Sequence, residues 1–183
     1  MEDIFKGNIT EYLDSLLPER PQVLQEMEAY AAEKGFPIIG PQVGRILWLL
    51  ARLQQPARIF ELGSGFGYSA LWFAMGAPQA NIICTDGSAE NVKLAEKWLS
   101  QAGIWQQIEF RQGRAQEILQ QQDGKFDIIL NDVDKQQYPG VFELSKKYLA
   151  TGGLLITDNV IWSGKAADKN VQDEATNAIR DYN

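Results

Sequence analysis

The chain has 183 residues, 45 % of them hydrophobic, which is enough for one domain with its own core and too few for two of ordinary size. With 24 acidic against 17 basic residues the net charge is −7, which argues against a surface built for non-specific binding to phosphate backbones. No apolar run approaches the roughly 20 residues that cross a bilayer, and the opening Met1-Glu2-Asp3-Ile4-Phe5-Lys6 lacks the basic start and apolar middle of a signal peptide, so no membrane partner and a cytoplasmic location are expected.

The first third of the chain reads as helical. Ile9 to Leu17, Pro21 to Lys34 and Pro41 to Leu53 each carry an amphipathic period, and the last two are separated by the breaker-rich loop Gly35-Phe36-Pro37-Ile38-Ile39-Gly40. From Arg58 onward strands and helices alternate. Strands fit Ala57 to Leu62, Asn81 to Asp86, Gln107 to Arg111, Phe126 to Asn131 and Leu154 to Thr157. Helices fit the segments near Tyr68 to Met75, Ala89 to Gln101, Gln116 to Gln121 and Gly140 to Leu149, with a last one around Glu174 to Tyr182. Regular alternation means parallel βαβ units with right-handed crossovers, so the expected class is an α/β, doubly wound, Rossmann-like fold. It divides into a helical N-terminal cap, 1–55, and a Rossmann-like core, 56–183, of one domain. The lone cysteine, Cys84, excludes an intrachain disulfide and reads as a small core residue within Ile82-Ile83-Cys84-Thr85.

Chemistry is concentrated at the ends of the predicted strands. In the usual doubly wound order the first strand is central, the second and third lie on one side and the fourth and fifth on the other, and ligands bind where the order reverses. Asn131-Asp132-Val133-Asp134-Lys135 and Thr157-Asp158-Asn159 then end adjacent strands, about 4.8 Å apart. Two carboxylates and an amide oxygen, from Asp132, Asp158 and Asn159, converge on one cation. Oxygen-only ligation favours Mg²⁺ over Mn²⁺ or Ca²⁺, and the absence of histidine argues against a nitrogen-rich zinc or iron site. Asp134 reads as an ordinary loop carboxylate.

Upstream, Phe60-Glu61-Leu62-Gly63-Ser64-Gly65-Phe66-Gly67-Tyr68-Ser69 supplies a strand, a glycine turn and a helix start, the device by which this fold holds a nucleotide-like cofactor. Its G-x-G-x-G spacing departs from the dinucleotide fingerprint, and Asp86, at the end of the second strand, suits ribose hydroxyls in either case. A dehydrogenase needs catalytic equipment as well. The one Tyr-x-x-x-Lys spacing, Tyr30 to Lys34, lies ahead of the glycine turn, where a reductase would not place it. Added to the metal triad, this favours S-adenosylmethionine as the cofactor.

These residues resemble the cation-dependent O-methyltransferases, the group of catechol and caffeoyl-CoA O-methyltransferases and their small bacterial relatives. The likeness runs from about Ile9 to the end and is most specific in Glu-Leu-Gly-x-x-x-Gly-Tyr-Ser, Asp-x-Asp-Lys and Asp-Asn-x-x-Trp. It implies an S-adenosylmethionine-dependent methyltransferase fold, with Asp132, Asp158 and Asn159 as metal ligands and Lys135 as catalytic base. Glu61, Gly63, Tyr68 and Ser69 match donor-binding positions, Asp86 the ribose ligand, Ala115 an adenine contact and Ile39 a further donor contact; Asp132 falls among these too. Trp162 stands where plant members wall the acceptor pocket.

The family pattern continues with two further strands after the last helix, whereas this chain stops at Asn183. A C-terminally truncated sheet, or a homodimer that covers the edge of the fifth strand, is therefore expected. The expected acceptor is a phenol with vicinal hydroxyls. A hydroxyuridine-containing tRNA is the alternative acceptor, disfavoured because Lys165 to Arg180 carries nearly balanced charge instead of a basic patch. A non-catalytic S-adenosylmethionine-binding module is the alternative outside enzymology.

Overall fold

The computed structural model describes residues 9–183. Three helices come first: α1 (Ile9–Ser15), α2 (Gln22–Lys34) and α3 (Gly40–Gln54). The alternating part follows as β1 (Arg58–Leu62), α4 (Tyr68–Gly76), β2 (Asn81–Asp86), α5 (Ala89–Gln101), β3 (Ile108–Gln112), α6 (Ala115–Gln120), β4 (Phe126–Asn131), α7 (Tyr138–Tyr148), β5 (Leu149–Thr157) and α8 (Glu174–Tyr182). The five strands are all parallel and lie in the order β3-β2-β1-β4-β5, so β1 is central and the order reverses between β1 and β4. This is the doubly wound, Rossmann-like architecture expected from the alternation. No described helix is long and apolar enough to cross a membrane.

The strands are apolar on both faces because helices cover both, and alternate residues feed two separate cores. Ile59, Ile82, Cys84, Ile128 and Leu130 meet α2 to α5, while Phe60, Leu62, Ile83, Phe126 and Ile129 meet α6, α7 and α8. Helix α4 is buried almost all round, with Tyr68 to Ala74 inside, because it is covered by α3 as well as by the sheet. Gly44 of α3 makes this approach possible: a Cβ there would sit 2.2 Å from the Trp72 indole nitrogen. Trp72 and Trp98 are core residues, as their helical positions imply, and Trp48 and Trp105 pack partly buried against the same core.

Most boundaries agree with the sequence reading to within one or two residues, and at α7 and β5 the difference has a local cause. Helix α7 begins at Tyr138 instead of Gly140, since Pro139 occupies the first turn, where the missing N–H has no partner to lose. Strand β5 begins at Leu149, which pairs with Phe126, before a bulge brings Leu154 opposite Ile128. The detour includes Gly152 at φ 78°, a conformation open to glycine, and it hid the first half of the strand behind an apparent turn.

Candidate active site

The carboxyl ends of β1, β2, β4 and β5 open into one cavity of about 860 Å³. Its floor is held by backbone bonds that carry the sheet ladder beyond the strands. The Ser64 N–H donates to the Thr85 carbonyl at 2.8 Å, Asp132 N–H to Leu62 at 2.9 Å, and Asp158 N–H to Asn131 at 3.1 Å. Position in the sheet, rather than any local motif, therefore sets where the two aspartates stand.

Gly63 is the tightest point. At φ 85°, it places its α-carbon so close to β4 that a Cβ would fall 2.4 Å from the Asp132 carbonyl oxygen. Gly63→Ala should destabilise the fold by about 3 kcal/mol, from left-handed strain and backbone overlap together. It should also abolish the melting shift given by S-adenosylmethionine; a variant melting like the parent, with that shift intact, would refute the argument. Beyond the turn, Gly67 adopts φ 87° and α4 starts at Tyr68.

Of the residues singled out in the sequence, Ile39, Gly63, Tyr68, Ser69, Asp86, Ala115, Asp132, Lys135, Asp158, Asn159 and Trp162 all line this cavity. Asp86 is fixed on its wall because Oδ1 accepts from the Ser88 N–H at 2.8 Å and the Asn91 amide at 3.0 Å. Glu61 is the exception: its side chain is wholly buried behind the turn and does not reach the wall. The Cys84 thiol lies 3.6 Å from its Oε2, and Oε1 has no hydrogen-bond partner. Burial pushes its pKa up to about 7, tempered by the nearby hydroxyls of Ser64 and Ser69. Burial likewise raises the Cys84 thiol, with the Glu61 carboxylate adding to the rise.

Asp132 and Lys135 form an ion pair at 3.0 Å, with side chains 27 % and 11 % exposed. Despite that cation, burial first, and then the charge of Asp158, raise the Asp132 carboxyl to about 6, against the pull of Lys135. The lysine ammonium has two more acceptors, the Val133 carbonyl at 3.3 Å and the Tyr138 hydroxyl at 2.8 Å. With the Asp158 carboxylate adding to the rise at Asp132 and the exposed Asn159 beside them, these side chains form an oxygen-rich patch of the cavity wall. The described residues contain no group of three or more carboxylate, thiol or imidazole side chains placed for a metal. A cation at this site therefore depends on the Asn159 amide or on ligand oxygens to complete its shell.

Asn159 itself has φ 57°, which asparagine tolerates, but Trp162 at 50° and Ser163 at 53° are strained. The Trp162 N–H donates to the Asn159 carbonyl at 2.8 Å, closing a loop that holds the indole on the cavity wall. Its ring centre lies 5.6 Å from the ammonium groups of both Lys135 and Lys165.

Three parts of the site escaped sequence reasoning. Phe36 and Pro37 roof the glycine turn, with the Phe36 ring 3.1 Å from where a Cβ on Gly65 would lie. Gln116 and Gln137, both on the cavity wall, share a 2.5 Å hydrogen bond. The Tyr68 hydroxyl donates to Glu28 of α2 at 2.7 Å, and Glu28 is clamped by Arg20 at 2.9 Å, which ties the N-terminal helices to the cavity.

A five-stranded parallel sheet of this order, with a glycine turn and a strand-end carboxylate on one cavity, is the architecture of the Rossmann-like S-adenosylmethionine-dependent methyltransferases, whose solved structures it matches. The O-methyltransferase family model matches residues 15–183, and the chain belongs to that S-adenosylmethionine-dependent family. It is 33 % identical to a catechol O-methyltransferase of Niastella koreensis over 183 aligned positions, covering 96 % of this chain and 83 % of that protein. Identity to caffeoyl-CoA O-methyltransferase 2 of Zea mays is 30 %, over 82 % of this chain and 60 % of the maize protein. Among solved structures, the O-methyltransferase of Bacillus cereus in complex with S-adenosylhomocysteine superposes with a TM-score of 0.86 at 29 % identity, over 95 % of this chain and 82 % of that one. The tomaymycin-synthesis O-methyltransferase TomG of Streptomyces achromogenes, in complex with S-adenosylmethionine, gives 0.86 at 28 %, over 100 % and 85 %.

Proposed function

We propose that this chain methylates one hydroxyl of a phenol bearing two adjacent hydroxyls, with a divalent cation held by Asp132, Asp158 and Asn159. The observation that carries this reading is that Asp132, Asp158 and Asn159 stand together on the wall of the donor cavity, at the ends of adjacent strands and beside Lys135. Two relatives named for catechol and for caffeoyl-CoA point in the same direction.

The donor residues fit a sulfonium nucleoside. The glycine turn and the start of α4 form one wall, Asp86 stands where ribose hydroxyls would reach, and Ala115 leaves room for a flat base. Bound cation, most simply Mg²⁺, would lower the pKa of a chelated phenolic hydroxyl and fix both acceptor oxygens. In this reading Lys135, 3.0 Å from Asp132, takes the phenolic proton as the neutral amine, after its own ammonium proton has passed to solvent. The acceptor oxygen then forms its bond to the methyl carbon as the carbon–sulfur bond breaks, and the electron pair of that bond stays on sulfur to give S-adenosylhomocysteine. Trp162 walls the ring of the acceptor. Ile39, Gly63, Tyr68 and Ser69 line the donor side; Glu61 acts from beneath it.

Labelled S-adenosylmethionine offered with catechol, caffeate, caffeoyl-CoA or hydroxyuridine-containing tRNA, in Mg²⁺ and in EDTA, tests the proposal. Metal-dependent label in the phenols is the expected result. Label in tRNA alone would move the acceptor to RNA, and donor binding without any transfer would favour a binding module.

A further inference from the structure

Tyr138 has no part in the chemistry above, yet its side chain is hydrogen-bonded to both arms of the site. Its ring is completely buried, and its hydroxyl has two partners: it accepts from the Lys135 ammonium at 2.8 Å and donates to the Asp158 backbone carbonyl at 2.9 Å. One arm, Asp132 to Lys135, follows β4; the other, Asp158 and Asn159, follows β5. The turn of 3-10 helix at Lys135–Gln137 brings residue 138 back over residue 135, since side chains three apart lie on one face of such a turn. Tyr182 of α8 then supports the ring edge-on at 5.4 Å while its own hydroxyl shares a 2.5 Å hydrogen bond with Thr157, the residue before Asp158.

We infer that Tyr138 is a positioning residue for methyl transfer: its hydroxyl holds the Lys135 amine in place against the acceptor and locks the Asp158 carbonyl, so that the two arms keep one spacing. This rests on the reading of Lys135 as the group that takes the acceptor proton. A lysine side chain has four freely rotating carbons and finds no fixed position by itself. Here Asp132 and the Val133 carbonyl tether the amine only to its own arm. The tyrosine hydroxyl supplies a hydrogen bond that reaches the opposite arm, and it comes from a ring that cannot move because core surrounds it. Lys135 thus owes its direction to a residue that touches neither donor nor acceptor.

Tyr138→Phe removes one oxygen and leaves the buried ring, so it separates positioning from packing. The expected result is a fall in kcat of about tenfold or more, as misplacement of a reacting group gives. The donor dissociation constant and acceptor KM should stay within about twofold, because neither ligand meets the hydroxyl. A merely structural tyrosine would lower the melting temperature or the folded yield and leave kcat per folded enzyme unchanged; that outcome overturns the inference. Lys135→Met and the double variant complete the cycle. If Lys135→Met is nearly inactive, adding Tyr138→Phe should cost nothing more, whereas an equal further loss would show independent roles and overturn the inference. Lys135→Met at parental rate would overturn the lysine reading and this inference with it. Lys135→Met inactive, with Tyr138→Phe at parental kcat, would overturn the positioning role alone. Should the phenylalanine variant not accumulate, Tyr138→Met keeps an apolar side chain in the buried site and gives the same division between kcat and binding.

Discussion

Asp158→Ala is expected to fold, bind S-adenosylmethionine and lose methyl transfer by about a thousandfold. The backbone of Asp158 is held by its own N–H to Asn131 and by its carbonyl to Tyr138, and alanine keeps both bonds. What disappears is one of two carboxylates in the proposed oxygen set. A cation acting as a Lewis acid contributes several kcal/mol to such a transition state, and each 1.4 kcal/mol or so is tenfold in rate, which gives the magnitude. The same variant should lose any rise in melting temperature on adding Mg²⁺. In the parent protein that rise has a pH dependence of known sign. Asp132 takes a proton at about 6, well above an exposed aspartate, so protons compete with the cation from that pH downward. The Mg²⁺ shift should therefore be full near pH 8 and fade through pH 6. Turnover in Asp158→Ala that equals the parent's in Mg²⁺, parental turnover that survives EDTA, or an Mg²⁺ shift as large at pH 5 as at pH 8, would remove the cation from the proposal.

Glu61→Gln is expected to make the unliganded protein more stable at pH 8 by about 2–3 kcal/mol, and to make no such difference at pH 5. The carboxyl sits in the sheet with no solvent contact and one unpaired oxygen, and burial carries its pKa from 4.5 to about 7. Between those values the folded chain holds a proton that the unfolded chain has lost, so stability falls as pH rises and the whole cost is present above pH 7. At about 1.4 kcal/mol for each tenfold change in proton affinity, that rise in pKa corresponds to about 3 kcal/mol. Glutamine, of the same shape, removes the charge and keeps a buried polar group, which trims the gain. In a domain of this size the change amounts to roughly 5–10 °C. The donor should bind more weakly to the variant if the cationic end of S-adenosylmethionine draws on that carboxylate, so the unliganded melt rises while the shift given by the donor shrinks. Equal melting of parent and variant at pH 8 would mean that Glu61 stays neutral there or finds a counter-charge.

Much of this arrangement was legible before any coordinates, for reasons that can be named. Runs such as Ile82 to Cys84 and Ile128 to Leu130 are apolar at every position, which only a strand covered on both faces requires, and polar residues that end such a run must emerge at the sheet edge. Asp86, Asp132 and Asp158 each stand at such an end, so their convergence follows from the parallel order alone. The glycines at 63, 65 and 67 signal a turn because each adopts positive φ. The bulge in β5 was invisible, since a glycine pair inside a strand looks like the turn before it.

What the sequence by itself determined is therefore the set of strand ends, the residue types on them and the class of chemistry those types permit, because all three depend on local apolar period and chain order. Only the tertiary structure decided that Glu61, two residues before the turn, lies under the cavity and not in its wall. It alone brought Glu28 to Tyr68 across 40 positions, and placed the Tyr138 hydroxyl between the arms. Burial depth and the far partner of a hydrogen bond are properties of which elements pack together, and no periodicity within a single element carries that information.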